Sequence, residues 1–221
     1  MKKLLFTLLA VLAVNVVLAQ EEDGTLKKSS KSFMNLYFGG IYSNMKMSHK
    51  VTDQGYEFEF NSPGGFGALE YALDGVRFMT EFGYQKAGND WDVEFVDKKN
   101  GFKYDTENQF ETPSFITGMF YVGFTPFGTK SWFQLPLYFG MGADYVTGVP
   151  NKKANVSFGA KIRANMYFTN NVGLFIGGHY KFGIASRDYD MGGNIGNAEL
   201  EFKNNTFGVE GGLTVLIGRK K

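Results

Sequence analysis

Between Phe133 and Tyr145 every second residue is apolar: Phe133, Leu135, Leu137, Phe139, Met141, Ala143 and Tyr145 alternate with Gln134, Pro136, Tyr138, Gly140, Gly142 and Asp144. A period of two is that of a β-strand with one apolar and one mixed face. The run outlasts the usual globular strand of about 5–6 residues. Aromatic ends and an aliphatic middle are the profile of a strand that crosses lipid and turns its other face to a polar lumen. The same alternation predicts eight strands in all, roughly Ser32–Asn44, Gly65–Leu73, Val76–Lys86, Ser114–Phe124, Trp132–Tyr145, Asn155–Phe168, Val172–Gly183 and Thr206–Gly218, with no helical period after the first twenty residues.

The connections alternate in length. Asp74-Gly75 is a tight hairpin turn, and Thr125–Ser131 and Thr169–Asn171 are short. Met45–Gly64, Ala87–Pro113 and Ile184–Asn205 read as long polar loops, with Val146–Ala154 the shortest of that set. Short turns on one side and long loops on the other are the signature of an up-and-down barrel in an outer membrane. Within Ala87–Pro113, Trp91, Val93 and Phe95 alternate and Phe102 and Tyr104 follow, which predicts a hairpin continuing the neighbouring strands above the membrane. The alternative of two more spanning strands is disfavoured, because each piece has only about five residues and a spanning strand needs about 9–11. That loop is rich in acids (Asp90, Asp92, Glu94, Asp97, Asp105, Glu107, Glu111), but no spacing matches a calcium loop.

Strand parity sorts the charges onto one face. The expected lumen holds Glu70, Glu81, Asp144 and Glu210 against Arg77, Lys161, Arg163 and Lys181, with His179 among them and packed against Glu210. Eight strands enclose just enough space for their own side chains, so these charges must pair and plug the barrel. Outward aromatics fall at the two ends. Phe124, Phe127, Trp132 and Phe133 form one girdle, and Tyr42, Tyr84, Tyr145 and Phe182 the other, at headgroup depth. Pro136 cannot donate to a ladder, which predicts a bulge or local break in its strand.

Composition narrows the class. Lys2 and Lys3, the apolar run Leu4–Val14 and the small Ala19 predict a cleaved signal peptide over residues 1–19, followed by a polar tail at 20–31 and a barrel domain at 32–221. The chain has no cysteine, so neither disulfide nor thiolate metal site enters. A net charge of +1 implies no nucleic-acid partner.

In the last strand Glu210, Gly212, Val215 and Ile217 stand at the polar, glycine, hydrophobic and terminal positions of a C-terminal barrel-assembly signal, with Ile217 in place of the usual aromatic. On these residues and the whole strand pattern the chain resembles the small outer-membrane β-barrel proteins of Gram-negative bacteria, of the OmpA/OmpX-like, porin-family type. The resemblance implies an all-β, eight-stranded antiparallel transmembrane barrel with long external loops. It also implies outer-membrane lipid and the barrel-assembly machinery as partners; an external or envelope protein, met by the loops, is the further partner expected of a structural or interaction role.

Catalytic chemistry finds little support. Ser48 and His49 are adjacent, so their side chains diverge in extended chain, and His179 lies on the lumen face. No phosphate loop, zinc motif or cofactor signature is present. The leading expectation is therefore a plugged barrel with a structural or interaction role. The alternatives are a narrow channel for ions or small solutes, a lipid-modifying enzyme using His49 or His179, and a soluble periplasmic binding barrel with its aromatics inside.

Overall fold

The computed structural model describes residues 32–217 apart from 52–53, 74, 89–90, 98–99, 101, 106–110, 127–131, 149–152 and 191–196. The expected signal peptide, the polar tail and Phe127 lie outside the described residues. Strands run as β1 (Ser32–Val51), β2 (Gln54–Leu73), β3 (Val76–Lys86), β4 (Trp91–Asp97), β5 (Phe102–Asp105), β6 (Ser114–Phe124), β7 (Phe133–Gln134), β8 (Leu137–Thr147), β9 (Lys153–Tyr167), β10 (Val172–Asp190) and β11 (Asn197–Ile217). Antiparallel neighbours follow in the order β1-β11-β10-β9-β8-β6-β3-β2, and β1 pairs β2 to close the circle. The wall is thus an eight-stranded up-and-down barrel. Gly75, at φ +94°, makes the tight β2–β3 turn that the sequence pattern predicts.

The register fixes the barrel's dimensions. Starting at Thr214 and stepping through the Cα partners Tyr37, Ala68, Glu81, Met119, Gly142, Ser157 and Gly183, one circuit returns to β11 at Asn204, ten residues from its origin. Eight strands with that stagger tilt by roughly 40° and enclose a radius of about 8 Å, a space that side chains fill.

Two expectations about the loops change. Met45–Gly64 and Ile184–Asn205 are not loops: β1 and β2 run on to Val51 and Gln54, and β10 and β11 to Asp190 and Asn197. The signal was in the sequence, since Glu57-Phe58-Glu59-Phe60 alternates, but with the polarity of a strand that faces water outside. The hairpin of β4 and β5 extends the wall. β4 pairs with the outer half of β2, from Phe60↔Trp91 to Gln54↔Asp97, beyond the end of β3. It adds no strand to the closed barrel.

Pro136 sits in a local break of the strand between β7 and β8, one of the two outcomes its missing donor predicts, and no bulge forms there. Gln134 pairs Asn165 and Leu137 pairs Ile162, so the register passes through unchanged, and the Arg163 amide donates to the Pro136 carbonyl at 3.1 Å. Pro136 lies beyond the last β6–β8 pair, Phe124↔Leu137, where a missing donor costs least.

Candidate functional site: the plugged lumen and its apolar belt

Alternation turns one residue in two inward, and the inward set is polar where the outward set is apolar. Phe139, Met141, Ile176, Phe207 and Val209 are exposed on the outer face, while Arg77, Arg163, Glu70 and Asp144 are completely buried. On the four barrel strands that carry a described outward charge, it stands at the long-loop end: Lys46 on β1, Glu59 on β2, Lys86 on β3 and Lys203 on β11. Lys46 and Glu59 pair across strands at 2.9 Å in the open. From Phe207 to Ile217 the outward positions of β11 are apolar or glycine; at the strand tilt above this spans roughly 25 Å, the height of a membrane barrel's lipid belt. A soluble barrel would have the opposite polarity, and that alternative falls.

The girdle residues stand as follows. Tyr84 pairs with Ile116, which pairs with Tyr145, so the two tyrosines share one row near the long-loop end, and Tyr42 is similarly exposed on β1. Phe182 is half-buried on β10. At the other end Phe124 and Trp132 are exposed and Phe133 is half-buried, with the Trp132 and Phe133 rings 6.0 Å apart.

The lumen charges form three groups. Nearest the short turns, Glu70 takes an ion pair from Arg77 Nη1 at 2.7 Å and hydrogen bonds from Asn35 Nδ2 at 2.6 Å, Tyr37 at 3.2 Å and Tyr138. Arg77 also donates to Gln134 Oε1 at 2.5 Å and to Thr125. At mid-height two acids and two bases close a ring. Lys161 Nζ lies 2.5 Å from Glu81 Oε2 and 2.8 Å from Glu210 Oε2, and Arg163 lies 2.8 Å from Glu81 and 2.5 Å from Glu210. Arg163 is also sheathed by the rings of Tyr37, Phe66 and Phe175, at 4.5, 5.1 and 4.9 Å from their centroids. Toward the long loops Lys181 meets Asp144 at 2.6 Å, and Asp144 accepts further bonds from Thr117 Oγ1 at 2.6 Å and Ser157 Oγ at 2.5 Å. Each of these four lumen acids thus faces a base, which a confined interior of low dielectric demands.

His179 does not form a hydrogen bond with Glu210; its Nδ1 stands 4.0 Å from Glu210 Oε2. Its Nε2 lies instead 3.1 Å from Ser43 Oγ, which also accepts from Gln85 Nε2 at 2.9 Å. Ser43 and His179 both pair with Gly208 from opposite sides. A Cβ at Gly208 would sit 2.5 Å from Ser43 Oγ and 2.6 Å from His179 Cε1, so the contact exists because residue 208 has no side chain. This serine–histidine contact was invisible to strand parity alone, which says which face a residue takes and not which inward neighbours meet.

The sequence pattern also missed the apolar cap. Met45, Met47, Phe58, Phe60, Phe115 and Val146 form one buried cluster at the long-loop end of the lumen. Four of these six lie in Met45–Gly64 and Val146 opens Val146–Ala154, both segments that the sequence pattern reads as loops. Of the C-terminal signal residues, Glu210 belongs to the lumen ring, Gly212 packs against the β1 backbone, and Val215 and Ile217 point outward. His49 is a β1 residue whose side chain lies outside the described set.

No protein-family model matches the chain, nor does any curated protein. Solved structures do. The outer membrane protein OprG from Pseudomonas aeruginosa aligns over 87% of this chain and 99% of its own, with a TM-score of 0.56 at 9% identity. Neisserial surface protein A, NspA, aligns over 79% of this chain and 97% of its own, with a TM-score of 0.43 at 12% identity. Ail, the attachment invasion locus protein of Yersinia pestis, aligns over 85% and 99%, with a TM-score of 0.37 at 13% identity. At 9% identity the likeness to OprG is one of fold: this chain and an outer membrane protein share the small up-and-down barrel.

Proposed function

We propose that the chain is an integral outer-membrane β-barrel with a side-chain-plugged lumen, whose role is structural or interactive and is exercised at its long-loop end. The inverted polarity carries this reading: an uncharged apolar belt outside, balanced ion pairs inside. The OprG fold match and the expected signal peptide support the location. Support for the plug comes from the filling of the lumen at three heights, by Phe33, Ala72, Tyr167 and Leu216 near the turns, by the mid-height ring with its aromatics, and by the apolar cap.

Support for an interaction role comes from asymmetry. β10, β11, β1 and β2 reach 19–21 residues, against 11 for β3, β6 and β8. One side of the barrel therefore rises as a wall beyond the belt, broadened by β4 and β5. Such a wall is suited to contact an external or envelope protein. No enzymatic step is assigned: Ser43 is fully buried and His179 lacks an orienting carboxylate within hydrogen-bond reach. Gly212 and the outward Val215 and Ile217 are proposed to serve recognition by the assembly machinery.

Electrophoresis of the outer-membrane fraction with and without boiling tests the location. The unboiled protein is expected to run as a faster, folded band; recovery in the soluble fraction with heat-independent mobility refutes it. Planar-bilayer recordings test the plug, and no steady openings are expected. Sustained conductance would favour the channel instead.

A further inference from the structure

Inside the lumen β2, β3, β1 and β10 are joined by a chain of hydrogen bonds whose direction is fixed at one end. The Ser62 carbonyl oxygen, on β2, can only accept, so the group 2.9 Å from it is the amide nitrogen of Gln85, on β3. That nitrogen lies 2.9 Å from Ser43 Oγ, on β1, and donates its second hydrogen there. Ser43 is fully buried, and the partner that remains for its own proton is His179 Nε2, on β10, at 3.1 Å. A ring nitrogen that accepts carries no proton, so neutral His179 holds its proton on Nδ1. Nδ1 faces Glu210 Oε2 at 4.0 Å, an oxygen that Lys161 Nζ already holds at 2.8 Å.

A proton added to this ring goes to Nε2, and the contact with Ser43 then has to reverse. The hydroxyl would accept from both Gln85 and His179, and its own proton would be displaced. The imidazolium would also stand among cations. Lys161 on β9 is its cross-strand partner, Lys181 is the next inward residue on its own strand, and Arg163 on β9 acts on it from further off. Glu210 on β11 is the acid that faces it, while β1 and β3 contribute the uncharged Ser43 and Gln85. The other nearby acids are engaged, Glu81 by Lys161 and Arg163 and Asp144 by Lys181. Four buried acids already face four buried bases, so a fifth cation goes uncompensated. We propose that His179 is an acid-sensitive latch of the plug: neutral, it ties β10 to β1 and β3, and protonated, it releases Ser43 and unbalances the mid-height ring. The latch depends on lumen packing and not on where the barrel resides, so it stands or falls separately from the membrane reading.

The test uses the full chain, isotope-labelled and folded in detergent micelles. At pH 7.5 the ring nitrogens of His179 are expected to show a protonated Nδ1 and a bare Nε2; the opposite tautomer, or an imidazolium, overturns the latch. Urea unfolding at pH 7.5 and 5.0 is the second readout. An unfolded histidine, with a pKa of about 6.5, takes the proton freely, so a native ring that admits it only by breaking the latch loses stability as the pH falls. The wild-type folding equilibrium constant is expected to drop about 10- to 30-fold over that interval, and that of His179→Gln by less than about threefold. His49→Gln, at the other of the two histidines, is expected to follow wild type. Equal drops in wild type and His179→Gln overturn the proposal, and so does a drop that vanishes in His49→Gln instead. Where His179→Gln does not fold, the wild-type ring spectra decide.

Discussion

Replacing Glu210 by leucine removes one acid from the mid-height ring and leaves Lys161 and Arg163 to share Glu81. Glu210 now holds Arg163 at 2.5 Å and Lys161 at 2.8 Å, with its side chain and that of Arg163 fully buried. A buried base stripped of its partner costs about 3–5 kcal/mol. The surplus charge, rather than the loss of two contacts, dominates that figure. A second change should therefore undo most of it. Lys161→Leu on top of Glu210→Leu restores one base to one acid and keeps the Arg163–Glu81 pair at 2.8 Å. The leucine replaces an ammonium that already lies 5.3 and 5.1 Å from the ring centroids of Phe66 and Tyr121, an environment that suits an alkyl chain. Exchange of a buried ion pair for apolar side chains is often neutral, so the double variant should return to roughly wild-type stability. Urea unfolding in lipid vesicles, read by the fraction of the fast-migrating unboiled band, gives the three stabilities. A double variant no more stable than the single one refutes charge balance as what holds the plug. A single variant that loses less than about 1 kcal/mol refutes its low dielectric, because that is the value of a solvated pair.

Two more outcomes follow from the outer face and the strand seam. Met141 lies four positions from Tyr145 on the same outward face, about 10 Å deeper into the belt at the rise and tilt of these strands. Met141→Arg should cost about 2–4 kcal/mol and Thr147→Arg, just past the tyrosine row, at most about 1, by the same unfolding assay; equal costs would mean that no lipid slab surrounds this face. At the β1–β11 seam a Cβ on Gly212 would sit 2.1 Å from the Phe38 carbonyl oxygen and 2.6 Å from Gly39 Cα, whereas a Cβ on Gly40 meets nothing nearer than 3.9 Å. Gly212→Ala is expected to destabilise by at least about 1–3 kcal/mol and Gly40→Ala to be tolerated; the reverse order would show that the seam is not packed as described.

Much of this architecture is legible in one dimension, because the facing of a strand residue is a local property. Parity in β3, β6, β8 and β9 places Arg77, Glu81, Asp144, Lys161 and Arg163 on the face opposite Phe82, Phe120, Met141 and Ile162, and the boundaries of β3 and β6 are those the alternation predicts. The tight turn at Gly75 is local in the same sense. Legibility fails where the surroundings change along a strand. Past Lys46 and Glu59 the outer face meets water, the apolar side moves inward, and a pattern tuned to lipid-facing strands takes Phe58 and Phe60 for loop.

Closure decided the rest. A stagger of ten residues around eight strands is a property of the whole circle, and no segment carries it. That stagger determines which inward residues stand at the same height. It therefore determines that Lys161 and Arg163 bridge Glu81 and Glu210, and that Ser43 reaches His179 across the bare Gly208. Alternation by itself determined which residues are inside and that their charges balance. The tertiary structure decided which of them touch, because contact across a lumen depends on register and shear, while the face of a strand depends only on its neighbours in the chain.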